Sequence, residues 1–96
     1  MNFTAIISTR AQKEFSSSWK WYEERQQGLG DRFAGELFKN ISFIEKTPER
    51  FPARTKNFRE KPLQTFPFII IYKIVYRNKS VRILSIFHSS RNPKKK

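Results

Sequence analysis

Histidine is the side-chain type that changes charge near neutral pH, and this chain has one, His88. Arg91 and Lys94 follow it within six positions. In that company His88 could serve a nuclease as general base or acid, with Arg91 and Lys94 neutralising a scissile phosphate. The plainer alternative is a histidine that bonds backbone where a strand meets the tail, and the residues alone leave both open. Arg59 and Arg82 fall on predicted strands, and Arg59 is suited either to hold an anion or to pair with a helix carboxylate such as Glu36. Arg82 shares parity with Leu84, Ile86 and His88, which predicts one sheet face for all four. At ~3.3 Å per residue it stands about 20 Å from His88, too far for both to touch one phosphate. Arg59, Arg82, Arg91, Lys94 and Lys95 are the candidate anion- or target-binding residues.

Several chemistries are excluded by residue type. Cysteine is absent, so disulfides, thiolate metal sites and a Cys nucleophile are out of reach. A single histidine rules out a multi-His metal site. No carboxylate follows Glu60 and Asp31 is the only Asp, which leaves a Ser-His-Asp triad without a plausible acid. The three scattered glycines cannot build a phosphate-binding loop. No metal and no cofactor are expected.

Charge placement is more informative than its total. The 96 residues carry a net +12. Residues 1–49 balance seven Lys/Arg against seven acids, whereas residues 50–96 hold thirteen Lys/Arg and only Glu60, so the whole excess lies there. Such polarity points to a polyanion or a strongly acidic protein as partner. The N-terminal segment has no basic n-region and only a short apolar run at Ala5–Ile7, unlike a signal peptide. No stretch approaches the ~18 apolar residues of a membrane span. The expectation is a cytoplasmic protein folded as a single domain over residues 1–96, with a basic tail at 89–96.

The elements that must position these groups follow from periodicity. Phe3–Ile7 is short and β-branched and predicts an opening strand. Thr9 followed by Gln12 has the spacing of a capping box. Ala11, Phe15, Trp19 and Tyr22 then fall within about 80° of one another at roughly 100° per residue, one buried stripe of a helix ending at Gly28. Gly28-Leu29-Gly30 reads as a left-handed C-cap and tight connection. Asp31 is the expected cap of a second helix striped by Phe33, Leu37, Ile41 and Ile44, stopped by Thr47-Pro48. The short link predicts an antiparallel helical hairpin. Trp21 lies about 120° off the first helix's stripe. It is therefore either a partner-binding anchor, as Trp often is in interfaces, or a ring partly buried against the second helix.

The second half changes period. Phe58–Gln64 is a predicted strand that Pro62 confines to an edge or a bulge. Phe68–Arg77 is apolar at both parities at first and predicts a central strand. Asn78-Lys79 predicts a tight turn and Val81–His88 the last strand. The reading is an α+β fold, β-α-α-β-β-β, with a mainly antiparallel sheet covered on one face by the hairpin.

That order of elements carries a set of short motifs: Trp21-Tyr22-Glu23, Leu29-Gly30-x-x-Phe33, Pro48 with Phe51-Pro52, and Phe58-Arg59. Phe66-Pro67-Phe68-x-Ile70-x-Tyr72 and Phe87-His88-x-x-Arg91-x-Pro93 complete it. The ordered set, from about residue 9 to 93, resembles the RelE/ParE superfamily of toxins from type II toxin–antitoxin systems, the plasmid stabilisation family. The resemblance implies growth arrest and a cognate antitoxin, which the basic half suggests is acidic. It also implies one of two targets. RelE-like members cut mRNA on the ribosome, whereas ParE-like members poison DNA gyrase and are not nucleases. The nucleases commonly carry basic residues on the strand before the central one and an Arg at the start of the central strand. The matching positions here are Glu60, Pro62 and Ile69. They also often end on a catalytic ring where this chain has lysines. These departures favour the ParE-like side, with an mRNA endonuclease and a non-toxic nucleic-acid-binding module as alternatives. His88 and Arg91 would be catalytic only in the nuclease reading.

Overall fold

The computed structural model describes residues 2–53 and 57–89. The element order is β1 (Thr4–Ile7), α1 (Thr9–Arg25), α2 (Leu29–Lys46), a 3-10 turn at Pro48–Arg50, β2 (Arg59–Pro62), β3 (Phe68–Val75), a second 3-10 turn at Tyr76–Asn78, and β4 (Ser80–His88). The expected α+β arrangement is what forms. The four strands make one sheet in the order β1-β4-β3-β2. β3 pairs antiparallel with both neighbours, and β1 pairs parallel with β4. β2, with Pro62, is an edge strand, where a missing N–H is tolerated.

The hairpin buries its stripes as their spacing dictates. Ala11 of α1 and Phe33, Leu37, Ile41 and Ile44 of α2 are buried against Phe68, Ile70 and Tyr72 of β3 and Val81, Ile83 and Ile86 of β4. Phe15, Trp19 and Tyr22 close over this core while keeping an exposed side. No helix among the described residues is long and apolar enough to cross a membrane.

The helix ends differ from expectation. Ser8, not Thr9, caps α1: its hydroxyl accepts from the Ala11 amide at 3.0 Å. Gln12 instead turns back and donates to the Ile7 carbonyl. α1 ends at Arg25, and Gly28, in the left-handed region at φ 90°, precedes α2 instead of closing α1. The donors at the start of α2 are met from the other helix. Both carboxylate oxygens of Glu23 accept, one from Gly28 N and one from Gly30 N, each at 2.9 Å. This places an anion at a helix N-terminus, where the backbone dipole favours it. Asp31, the expected cap, accepts from the Trp19 indole at 3.1 Å.

β4 also departs from simple alternation. Ile71 pairs with Ser85 and Tyr72 with Ile83, so Leu84 is an extra residue, a β-bulge. Val81 and Ile83 face the helices before the bulge, Ile86 and His88 after it. β1 ends opposite Ile83, and α1 takes over the exposed edge of β4 from there. Ser8 Oγ donates to the Leu84 carbonyl, and Glu14 Oε1 accepts from Ile86 N and Ser85 Oγ at 2.8 Å each.

Candidate partner-binding site

His88 and Trp21, 67 positions apart, share one pocket. It has a volume of about 250 Å3 and is lined by Ser18, Trp21 and Tyr22 from α1, Phe68 from β3 and His88 from β4. The pairing of Phe68 with His88 brings the two rings edge to face with centroids 4.8 Å apart. Tyr22 links the pocket to the core through edge or tilted contacts with Phe33, Phe66 and Phe68. Trp21 stands edge-on to Tyr22 at 5.2 Å, and the Arg25 guanidinium lies 3.9 Å from its ring centroid. Trp21 as a whole is 44% exposed. The expected alternative, burial against α2, is not where these contacts lie. A rigid, part-exposed indole beside a ring-lined hollow has the form of an anchor site, because aromatic rings bring large contact area at low entropy cost.

Arg82 is turned away from this pocket. The bulge at Leu84 reverses the parity of β4, so Arg82 pairs with Lys73 on the face away from the helices while His88 faces them. The shared face expected from alternation is therefore replaced by opposite faces. Arg59 lies on β2 opposite Tyr72, and its Nη1 donates to the carbonyls of Phe51 at 2.8 Å and Glu49 at 3.2 Å. It ties the 3-10 turn to the sheet. Glu36, its alternative partner, accepts instead from the amides of Gln64 and Thr65. Arg91, Lys94 and Lys95 lie outside the described residues. Among the described residues no group of three His, Asp or Glu could hold a metal ion.

Sequence reasoning missed the groups that steady the 3-10 turn. The buried Tyr72 hydroxyl donates to the Pro48 carbonyl at 2.6 Å. Burial pushes its pKa up to about 12, against a smaller lowering by Arg59. Tyr76 donates to Glu49 Oε2, and that hydrogen bond, with minor help from desolvation and the carboxylate's charge, raises the Tyr76 pKa. Lys73 and Arg77 were also missed. They line a groove of about 650 Å3 with Arg59 and Tyr76. Only their shared strand and turn, read with the register, would have marked them.

The fold recurs in toxins of known structure. The chain superposes on a structure of the chromosomal ParDE toxin–antitoxin system of P. aeruginosa with a TM-score of 0.77. The match covers 90% of this chain and 95% of that one at 12% identity. A mutant E. coli toxin RelE bound to an antitoxin RelBc peptide gives a TM-score of 0.70 over 99% and 94% of the two chains at 15% identity. The RelBE2 toxin–antitoxin complex of Mycobacterium tuberculosis gives 0.63 over 92% and 99% at 17% identity. No individually curated protein matches the sequence. A family model does, that of the ParE toxin of the type II toxin–antitoxin system parDE, over residues 5–93. Spanning nearly every element described above, that match means the chain belongs to the ParE family of type II toxins.

Proposed function

We propose that this toxin arrests growth in the cytoplasm by inhibiting DNA gyrase, and that an acidic antitoxin holds it silent. One observation carries the choice of target. On the outward face of the sheet, Pro62 stands opposite Ile69 and Glu60 opposite Ile71. Those are the positions where the resembling nucleases keep basic groups and an arginine. A carboxylate, a proline and a branched alkane cannot neutralise a scissile phosphate, and the carboxylate repels one.

The antitoxin reading draws on the solved relatives, which include toxin–antitoxin complexes and a toxin bound to an antitoxin peptide. The pocket of Trp21, Tyr22, Phe68 and His88 suits an apolar side chain of such a peptide. The basic half supplies partners for its carboxylates at Arg59, Arg82, Arg91, Lys94 and Lys95. Peptides of this kind order on binding along helical grooves.

The test is induced expression with two readouts, gyrase supercoiling activity and primer extension on translated mRNA. Supercoiling should fall, and His88→Ala should leave toxicity nearly intact. Co-expression of the small open reading frame expected beside the gene should restore growth. Fresh mRNA ends confined to translated regions, abolished by His88→Ala, would overturn the gyrase reading.

A further inference from the structure

Two grooves of similar size meet at the edge strand β2. One, about 650 Å3, is lined by Arg59, Lys73, Arg77 and Tyr76 among others. The second, about 590 Å3, lies between α2 and the segment after β2 and is lined by Arg32, Lys39 and Lys61. Its one carboxylate, Glu36, is already engaged by the amides of Gln64 and Thr65 at 2.6 and 2.8 Å. Arg59 and Lys61, one in each groove, are two residues apart on the same face of β2, about 7 Å along the strand. Six cations thus form a belt from α2 across the sheet edge to the end of β3. Across β3 and β4, Lys73 is also paired directly with Arg82. Like charges placed opposite each other destabilise a sheet, and a bound polyanion would relieve that repulsion.

We infer that this belt binds the phosphate backbone of duplex DNA. Open grooves each lined by several cations suit a line of phosphates, which needs charge and no deep apolar anchor. The ring-lined pocket between α1 and His88 has the features of a protein-anchor hollow, and it shares no residue with either groove. The choice of DNA over other polyanions rests on the gyrase reading, because a toxin docked on gyrase meets the duplex that gyrase holds.

The test uses the purified 96-residue chain and a fluorescent duplex of about 20 base pairs, titrated at several salt concentrations. If most of the six cations meet phosphates, log affinity should fall with log salt at a slope of about −5. The variant Lys39→Gln, Lys73→Gln, Arg77→Gln should reduce that slope to about −3 and raise the dissociation constant at least about tenfold near 0.1 M salt. The variant Lys13→Gln, Lys20→Gln, Lys46→Gln makes the same change in net charge outside the grooves, and it should bind nearly as the parent does. Thermal melting of both variants separates lost binding from lost folding. Equal losses in the two variants would overturn the inference, leaving only non-specific charge. It would also be overturned by no duplex binding at low salt, by a preference for single-stranded RNA of equal length, or by poly-glutamate competing with the same dependence on the groove variant. These measurements contain no gyrase. DNA binding without gyrase inhibition would therefore refute the functional reading and leave this one standing.

Discussion

Tyr72 offers a quantitative test of how the 3-10 turn is held to the sheet. Its ring is fully buried and its hydroxyl donates to the Pro48 carbonyl at 2.6 Å. Burial raises its pKa from 10.0 to about 12. An unfolded chain gives up this proton first as pH rises, so the folded state binds more protons between those values and stability falls with pH. The contribution is fully present below pH 10. It shrinks by about 1.4 kcal/mol at pH 11 and approaches a loss of about 3 kcal/mol beyond pH 12. Tyr72→Phe removes the titrating group and leaves the buried Pro48 carbonyl unpaired, which should cost about 1–2 kcal/mol at neutral pH. Urea unfolding of both proteins at intervals from pH 7 to about 11.5 measures the difference. Tyr76 is common to both proteins, so its contribution largely cancels. The parent should lead at pH 7, and its lead should shrink to near zero around pH 11. A lead that stays constant across that range would refute the argument that burial protects this proton.

Two further outcomes follow from the geometry. Glu23→Ala removes the acceptor of two amides at the start of α2 and should cost about 2 kcal/mol, lowering the melting temperature by roughly 8–16 °C; a change under about 2 °C would mean that water replaces the carboxylate. Trp21→Ala should weaken antitoxin binding by about 2 kcal/mol, near 30-fold, with much less effect on unfolding, as calorimetry of the complex and of the free toxin would show.

Much of the fold was legible because its signals are local. The stripe of Phe33, Leu37, Ile41 and Ile44 needs only helical spacing, and Phe68–Val75 needs only its β-branched and aromatic composition. What stayed hidden depends on groups distant in the chain. Alternation along Arg82, Leu84, Ile86 and His88 is regular in sequence, yet Leu84 bulges, and Ser8 and Glu14 bond the backbone beside it. Asp31 has the type and place of a helix cap, but Glu23, on the previous helix, reaches both amides first. The union of Trp21 with His88 required the register of Phe68 against β4. The parallel pairing of β1 left no trace in its own four residues.

That pairing has a kinetic consequence. β1 is the first and β4 the last of the described strands in sequence, and they lie side by side with Thr4 opposite Ser80. Closing a loop of some seventy residues costs roughly 4 kcal/mol of chain entropy before any contact across it forms. β4, which stands between β1 and β3, is made after the other three strands, so β1 waits through synthesis without its partner. The helical hairpin, whose contacts are local, should form early, and the sheet late and slowly. A chain stopped short of residue 80 would lack the strand that joins β1 to β3. Inside the cell, the sheet would therefore be completed in one late step, once residues 80–88 have been made.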